Sequence, residues 1–159
     1  MKTITGREII SDMMQLGISI ARWNKQYTSR EKVAKRMEER GLTHHQLEIL
    51  GFMKANPELN TVSEIAAELY ISKGSLSLML TKLQTAGFIQ KTSAKGGDDG
   101  RKVYVTLTEK GNAVVDEITE LLLEQASAAF ENVDEKSREQ IYTKVKELKE
   151  LFNTGGWIK

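Results

Sequence analysis

Residues 71–111 read ISKGSLSLMLTKLQTAGFIQKTSAKGGDDGRKVYVTLTEKG, and the period of the apolar positions changes halfway along. Leu76, Met79, Leu80 and Leu83 follow the i, i+3, i+4, i+7 spacing of one helix face. Ser72 is placed to cap that helix and Gly87 to stop it. Phe88 to Thr92 and Lys102 to Leu107 are strand-like, with Val103, Val105 and Leu107 alternating onto one side. Between them Ser93-Ala94-Lys95-Gly96-Gly97-Asp98-Asp99-Gly100-Arg101 is dense in turn formers and predicts a hairpin tip. Thr108 then caps a long helix to about Glu131, striped by Val114, Ile118, Leu121, Gln125 and Ala128.

Upstream, Thr61-Val62-Ser63-Glu64 has the form of a capping box and opens a short helix whose Ile65, Ala66 and Leu69 share a face. A helix, a tight turn, the helix from Ser72 and a hairpin together make a winged helix-turn-helix. Before it, Thr43-His44-His45-Gln46 starts a helix with Leu47, Leu50 and Phe52 or Met53 inward, ending before Asn56-Pro57. Further back, Ile9, Met13, Leu16, Ile20, Trp23 and Tyr27 form a stripe at spacings of four and three. Thr28-Ser29-Arg30-Glu31 reads as another capping box, leading a helix to about Arg40 that Gly41 ends. Near the C-terminus Asp134 caps a helix striped by Ile141, Val145, Leu148 and Phe152, stopped by Gly155-Gly156. The fold class expected is mostly α with a small β-hairpin wing. Residues 1–40 and 109–159 are read as N- and C-terminal dimerisation helices and residues 42–108 as the winged helix-turn-helix lobe.

The helix from Ser72 has dimensions that matter. An α-helix is roughly 10–12 Å across and the major groove of B-DNA is roughly 12 Å wide, so such a helix can reach base edges with its first turns. Its inward face is satisfied by leucines, which leaves Lys73, Ser75, Ser77, Leu78, Thr81 and Lys82 facing outward as candidate DNA contacts. The wing adds Lys95, Arg101 and Lys102, with Arg101 positioned to enter a minor groove.

Bulk composition agrees through its distribution. The net charge is only +1, but residues 72–102 carry six Lys/Arg against two Asp/Glu, and residues 103–159 carry seven against eleven. A short basic centre before an acidic tail marks a local anion-binding surface. The absence of cysteine excludes disulfides, thiolate metal sites and cysteine redox sensing. No signal peptide and no membrane-length apolar run is evident, so a cytoplasmic protein is expected.

From about Leu42 to Gly111 the chain resembles the MarR-type (multiple antibiotic resistance regulator) family. The resemblance is carried by Leu42-Thr43-x-x-Gln46-x-x-Ile49-Leu50, by Val62-Ser63-Glu64-Ile65-Ala66 and by Lys82-Leu83-x-x-Ala86-Gly87-Phe88-Ile89. The strongest pieces are Asp99-x-Arg101 and Val105-Thr106-Leu107-Thr108-Glu109-Lys110-Gly111. It implies a homodimer held by the terminal helices, a recognition helix from Ser72 in the major groove, and Arg101 in the minor groove. Asp99 would support the wing rather than touch phosphate. The operator would be pseudo-palindromic double-stranded DNA, the usual outcome repression, and a small-molecule effector would bind between the dimerisation helices and the lobe. Met13, Met14, Gly17 and Trp23 are the lining candidates, against plain packing as the alternative role. Two features depart from the pattern. No arginine lies on the recognition helix, so readout would lean on hydroxyls, thymine methyls and DNA shape. The segment Trp23–Arg40 is long, and its Lys25, Arg30, Lys32, Lys35, Arg36 and Arg40 outnumber Glu31, Glu38 and Glu39; a solvated helix is the expectation there, with an extra DNA or partner contact as the alternative.

Catalysis has little footing. Ser72, Ser75 and Ser77 lack a histidine and acid arranged about them. The only histidines, His44 and His45, point about 100° apart on a helix and make poor joint ligands, so no metal and no cofactor is expected. Lys73-Gly74-Ser75 lacks the upstream glycine spacing of a phosphate loop. The competing non-enzymatic reading is a winged helix that binds protein without specific DNA binding.

Overall fold

A computed structural model describes residues 4–93 and 102–154. Seven α-helices and one hairpin appear among them, in the order α1 (Gly6–Tyr27), α2 (Arg30–Glu39), α3 (His44–Ala55), α4 (Val62–Glu68), α5 (Lys73–Thr85), β1 (Ile89–Ser93), β2 (Val103–Leu107), α6 (Glu109–Ser127) and α7 (Glu135–Thr154). A single 3₁₀ turn, Ala128–Phe130, follows α6. The expected fold class, mostly helical with one small wing and helices at both ends, is the one observed.

The chain divides into two units, residues 30–122 and residues 1–29 with 123–159. The first is the winged-helix lobe, and it is wider than the 42–108 read from sequence. Met37 of α2 and Val114, Val115 and Ile118 of α6 are buried in one cluster with Leu50, Ile65, Leu76, Leu80, Leu83, Phe88 and Val105. The apolar stripe on the first part of α6 is thus core, where the sequence reading gave all of residues 109–159 to dimerisation. Arg36 of α2 and Arg40 just after it both bond Glu117 of α6, Arg40 at 2.8 Å. The Arg40 bond, with Arg36 behind it, holds the Glu117 carboxyl below the usual carboxylate range. Those two arginines of the basic segment therefore fasten α2 to α6.

Caps organise the lobe. Thr43 and Thr61 each accept from the backbone N–H three residues on, and Gln46 and Glu64 reach back to the threonine N–H, as their spacing predicts. Gln46 is itself buried, and Ile49 joins Leu50 and Met53 in the core while Leu47 and Phe52 are only half-buried. Thr28 behaves differently from expectation. It ends α1, its hydroxyl donating to the Asn24 carbonyl, so the capping box expected at 28–31 does not form and α2 starts after Ser29.

The hairpin pairs Ile89 with Leu107 through Ser93 with Val103, each strand beginning one residue later than its pattern suggested. An isolated bridge joins Thr61 to Tyr104, and the Val105 N–H donates to the Asn60 carbonyl at 2.7 Å. The residues before α4 thus lie against β2 and fix the wing's root to the helix-turn-helix.

In the other unit no residue of α1 or α7 is buried. Trp23 and Tyr27 are the half-buried members of the α1 stripe, Trp23 packing on Tyr27 and on Phe130 at centroid distances of 5.8 and 6.0 Å. Ile9, Met13, Leu16 and Ile20, like Ile141, Val145 and Leu148 of α7, remain exposed. Asp134 caps α7 by accepting from the Ser137 N–H at 3.0 Å.

This packing sets two expectations for stability. Leu83 is fully buried and Leu78, five residues earlier on α5, is exposed. Leu83→Ala should lower unfolding free energy by about 2–5 kcal/mol in a denaturant titration, and Leu78→Ala should change it by no more than about 0.5 kcal/mol. Equal effects would put the helix out of phase. At Gly111 an added Cβ would meet the Phe88 carbonyl oxygen at 2.1 Å. Gly111→Ala should therefore destabilise by about 1–3 kcal/mol or more, since backbone has to move; a thermal midpoint unchanged from the parent would contradict this.

Candidate nucleic-acid interface

The helix-turn-helix of α4 and α5 is built from two tight chain reversals. At the first, α4 ends at Leu69, the Tyr70 N–H donates to the Ala67 carbonyl and the Ile71 N–H to the Ala66 carbonyl. This pair of bonds closes a helix through a residue in the left-handed region, and that residue is Tyr70, at φ +53°. Glycine is the usual occupant; a tyrosine there carries backbone strain with no compensating burial, since Tyr70 is 95% exposed. Leu69 and Ile71 on either side pack against the core and hold the turn in place.

Ser72 then caps α5, its hydroxyl oxygen accepting from the Ser75 N–H at 3.1 Å and its hydroxyl donating to the Ser75 hydroxyl at 2.9 Å. No acidic residue stands in the first turn, so the positive end of the helix dipole is left without an internal counter-charge. Leu76, Leu80 and Leu83 are fully buried, with Met79 half-buried beside them. The second reversal uses Gly87 at φ +79°, with the Gly87 N–H on the Gln84 carbonyl and the Phe88 N–H on the Leu83 carbonyl. A Cβ is disfavoured at that angle, which is why glycine suits the position.

Each outward residue expected of α5 is exposed: Lys73, Ser75, Ser77, Leu78, Thr81 and Lys82. Their hydroxyls are less available than the sequence suggested. The Thr81 hydroxyl donates to the Ser77 carbonyl at 2.8 Å and accepts from the Lys91 ammonium at 3.1 Å. Thr85 likewise donates to the Thr81 carbonyl at 3.0 Å. Lys91, on β1, thus stands against the outward face of α5 and was absent from the sequence-derived set, as was Tyr70. The strand alternation gives no warning that Lys91 reaches Thr81, because that contact depends on how α5 and β1 cross.

Lys102 is exposed at the start of the wing's return strand and lies close enough to Glu64 to interact with it electrostatically. The Glu64 carboxyl sits below its ordinary range chiefly because the Thr61 hydroxyl and N–H bond it. Lys95, Asp99 and Arg101 lie outside the described residues.

The four effector candidates all fall on α1. Met13, Met14 and Gly17 are exposed and Trp23 is half-buried. They line neither of two pockets in the lobe. One of about 210 Å³ lies among Met53, Lys54, Leu59, Val105 and Asn112. The other, about 560 Å³, is bounded by His45, Glu48, Ile49, Leu69, Ile71 and Met79. His44 and His45 both approach one carboxylate, Glu48, at 3.3 and 3.0 Å. Among the described residues no cluster of three or more histidines and acids suited to a metal occurs, and no helix is long and apolar enough to cross a membrane.

Comparison with known proteins places this geometry. The sequence pattern of the MarR family matches residues 40–102. No protein of curated function matches the chain in sequence. Among solved structures, the transcriptional regulator Tm0710 from Thermotoga maritima superposes with a TM-score of 0.69 at 18% identity, covering 91% of this chain and 96% of its own. A MarR family protein from Bacillus stearothermophilus gives 0.68 at 14% identity over 95% and 100%. The S. aureus MepR–DNA complex gives 0.60 at 21% identity over 77% and 90%. At such identities the superpositions speak for the fold, and the family pattern speaks for the lobe. Residues 40–102, with their fully buried leucine face and capped helices, match the MarR family pattern, and the chain has the winged-helix fold of those solved structures.

Proposed function

We propose that the chain is a sequence-specific DNA-binding transcription regulator, acting as a homodimer and by default a repressor. The observation that carries this is α5: its inward leucines are fully buried while its outward face from Lys73 to Lys82 is exposed throughout, apart from the half-buried Met79. A helix so anchored is free to enter a major groove without disturbing the core. The S. aureus MepR structure, similar in fold, was solved with DNA, which supports the same use here. Lys73, Ser75, Ser77, Leu78, Thr81 and Lys82 form the proposed groove-facing set, with Lys95, Arg101 and Lys102 as wing contacts and Asp99 as wing support.

The terminal helices support self-association. Two amphipathic helices of 22 and 20 residues without a single buried residue leave extended apolar stripes in water. A second copy presents the same stripes and covers them by symmetry. Two recognition helices related by a two-fold axis then address a pseudo-palindromic site with half-sites about 34 Å apart. A small-molecule effector that binds the DNA-competent and incompetent dimers with different affinity would regulate this state, with Met13, Met14, Gly17 and Trp23 as its proposed contacts.

Binding to the intergenic duplex beside the chain's own gene, followed by fluorescence anisotropy, should be saturable, resistant to competitor DNA and steeply weakened by salt. Arg101→Ala should weaken it while sedimentation stays that of the parent. Binding that ignores salt would favour the alternative, a winged helix that docks on protein. Sedimentation velocity at micromolar concentration should show a dimer, and a compact folded monomer there would remove the terminal helices from the dimerisation role.

A further inference from the structure

The outward face of α5 carries one large apolar side chain, Leu78, 62% exposed at the middle of the helix. It lies one turn from Ser75, Thr81 and Lys82. Between Lys73 and Leu83 there is no arginine, asparagine or glutamine, the side chains that bond guanine or adenine through two atoms at once. Hydroxyls were the natural substitutes, but two of them are engaged within the protein. Thr81 donates to Ser77 and accepts from Lys91, and Thr85 donates to Thr81, so these threonines have methyl groups rather than protons left to offer. Thymine is the one base that presents a methyl group in the major groove.

Resting on the reading that α5 faces DNA, we propose that Leu78, flanked by the Thr81 γ-methyl, reads thymine C5-methyl groups and makes them the central determinant of each half-site. Leu78 here is a specificity residue. The lysines at positions 73 and 82 supply phosphate attraction that does not depend on sequence, while Leu78 discriminates by covering a methyl that only a thymine can put in that place. Lys91 contributes indirectly, by occupying the Thr81 oxygen.

The test starts by finding a binding sequence directly. The full-length protein is used to select from a library of random 30-base-pair duplexes, and the most enriched duplex becomes the probe. Each thymine of a half-site is then replaced singly by deoxyuridine, which removes the methyl and leaves base pairing intact. One or two positions per half-site should lose about fourfold in affinity each, as expected for uncovering one methyl-sized group. Leu78→Ala, whose fold is checked by its denaturant midpoint, should bind more weakly and erase that difference. Deoxyuridine duplexes bound as tightly as thymine duplexes at every position would overturn the role of Leu78 while leaving DNA binding intact. A thymine preference that persists undiminished in Leu78→Ala would do the same. Failure of the library to yield any saturable, competitor-resistant duplex would overturn the DNA-binding reading, and this inference with it.

Discussion

Phe88 is the junction on which the lobe is assembled. Its N–H closes α5 on the Leu83 carbonyl, and its ring is almost fully buried among the leucines of that helix. Its own carbonyl accepts the Thr108 N–H at 3.0 Å, where α6 begins, and stands so close to Gly111 that no side chain fits there. Thr108 adds a hydroxyl bond to the Gly87 carbonyl, and Lys110 lies 4.5 Å above the Phe88 ring while bonding the Ala86 carbonyl. Four elements, α5, β1, β2 and α6, are thereby registered at one residue. The orientation of the exposed face of α5 relative to the wing is a consequence of this junction.

The same junction unites stretches that are far apart in sequence. Gly87-Phe88 and Thr108 through Gly111 are separated by the whole hairpin, yet they form a single contact. Each is constrained by backbone: a left-handed glycine, a carbonyl that serves a second helix, and a glycine required by close approach. In α1 and α7 the requirement relaxes to amphipathic helices of adequate length, which many sequences satisfy.

Interactions that are local in sequence were the legible ones. The boxes at Thr43–Gln46 and Thr61–Glu64, the Ser72 cap and the leucine phase of α5 each depend on residues no more than seven apart. The hairpin was legible because its strands alternate on either side of a turn-rich tip. At Thr28 two local signals competed. Closing a 22-residue helix onto Asn24 prevailed over opening the next one, and sequence offers no measure of that balance. Tyr70 was illegible for another reason: its left-handed turn is imposed by Leu69 and Ile71 packing on the core, so no glycine advertises it. The ties of Arg36 and Arg40 to Glu117 join residues about eighty positions apart, and only the packed lobe brings them together. Arg36 and Arg40, read as solvated cations, turned out to be fasteners.

The candidate interface separates two jobs that a single arginine often combines. An arginine on a recognition helix contributes charge and a base-specific fork together. On α5 the charge resides in Lys73 and Lys82, and in the proposed reading the shape information resides in Leu78 and Thr81 between them. Ammonium groups act on phosphate as point charges, so their contribution falls with salt and carries little sequence information. An apolar contact with a methyl is insensitive to salt and lost when the methyl is absent. For a protein of this design, raising salt should weaken matched and mismatched duplexes in parallel, leaving the ratio between them nearly constant. An arginine-based reader would lose affinity and discrimination together, because the same side chain serves both. The division of labour along α5 is therefore itself a physical statement about how the proposed surface would recognise DNA.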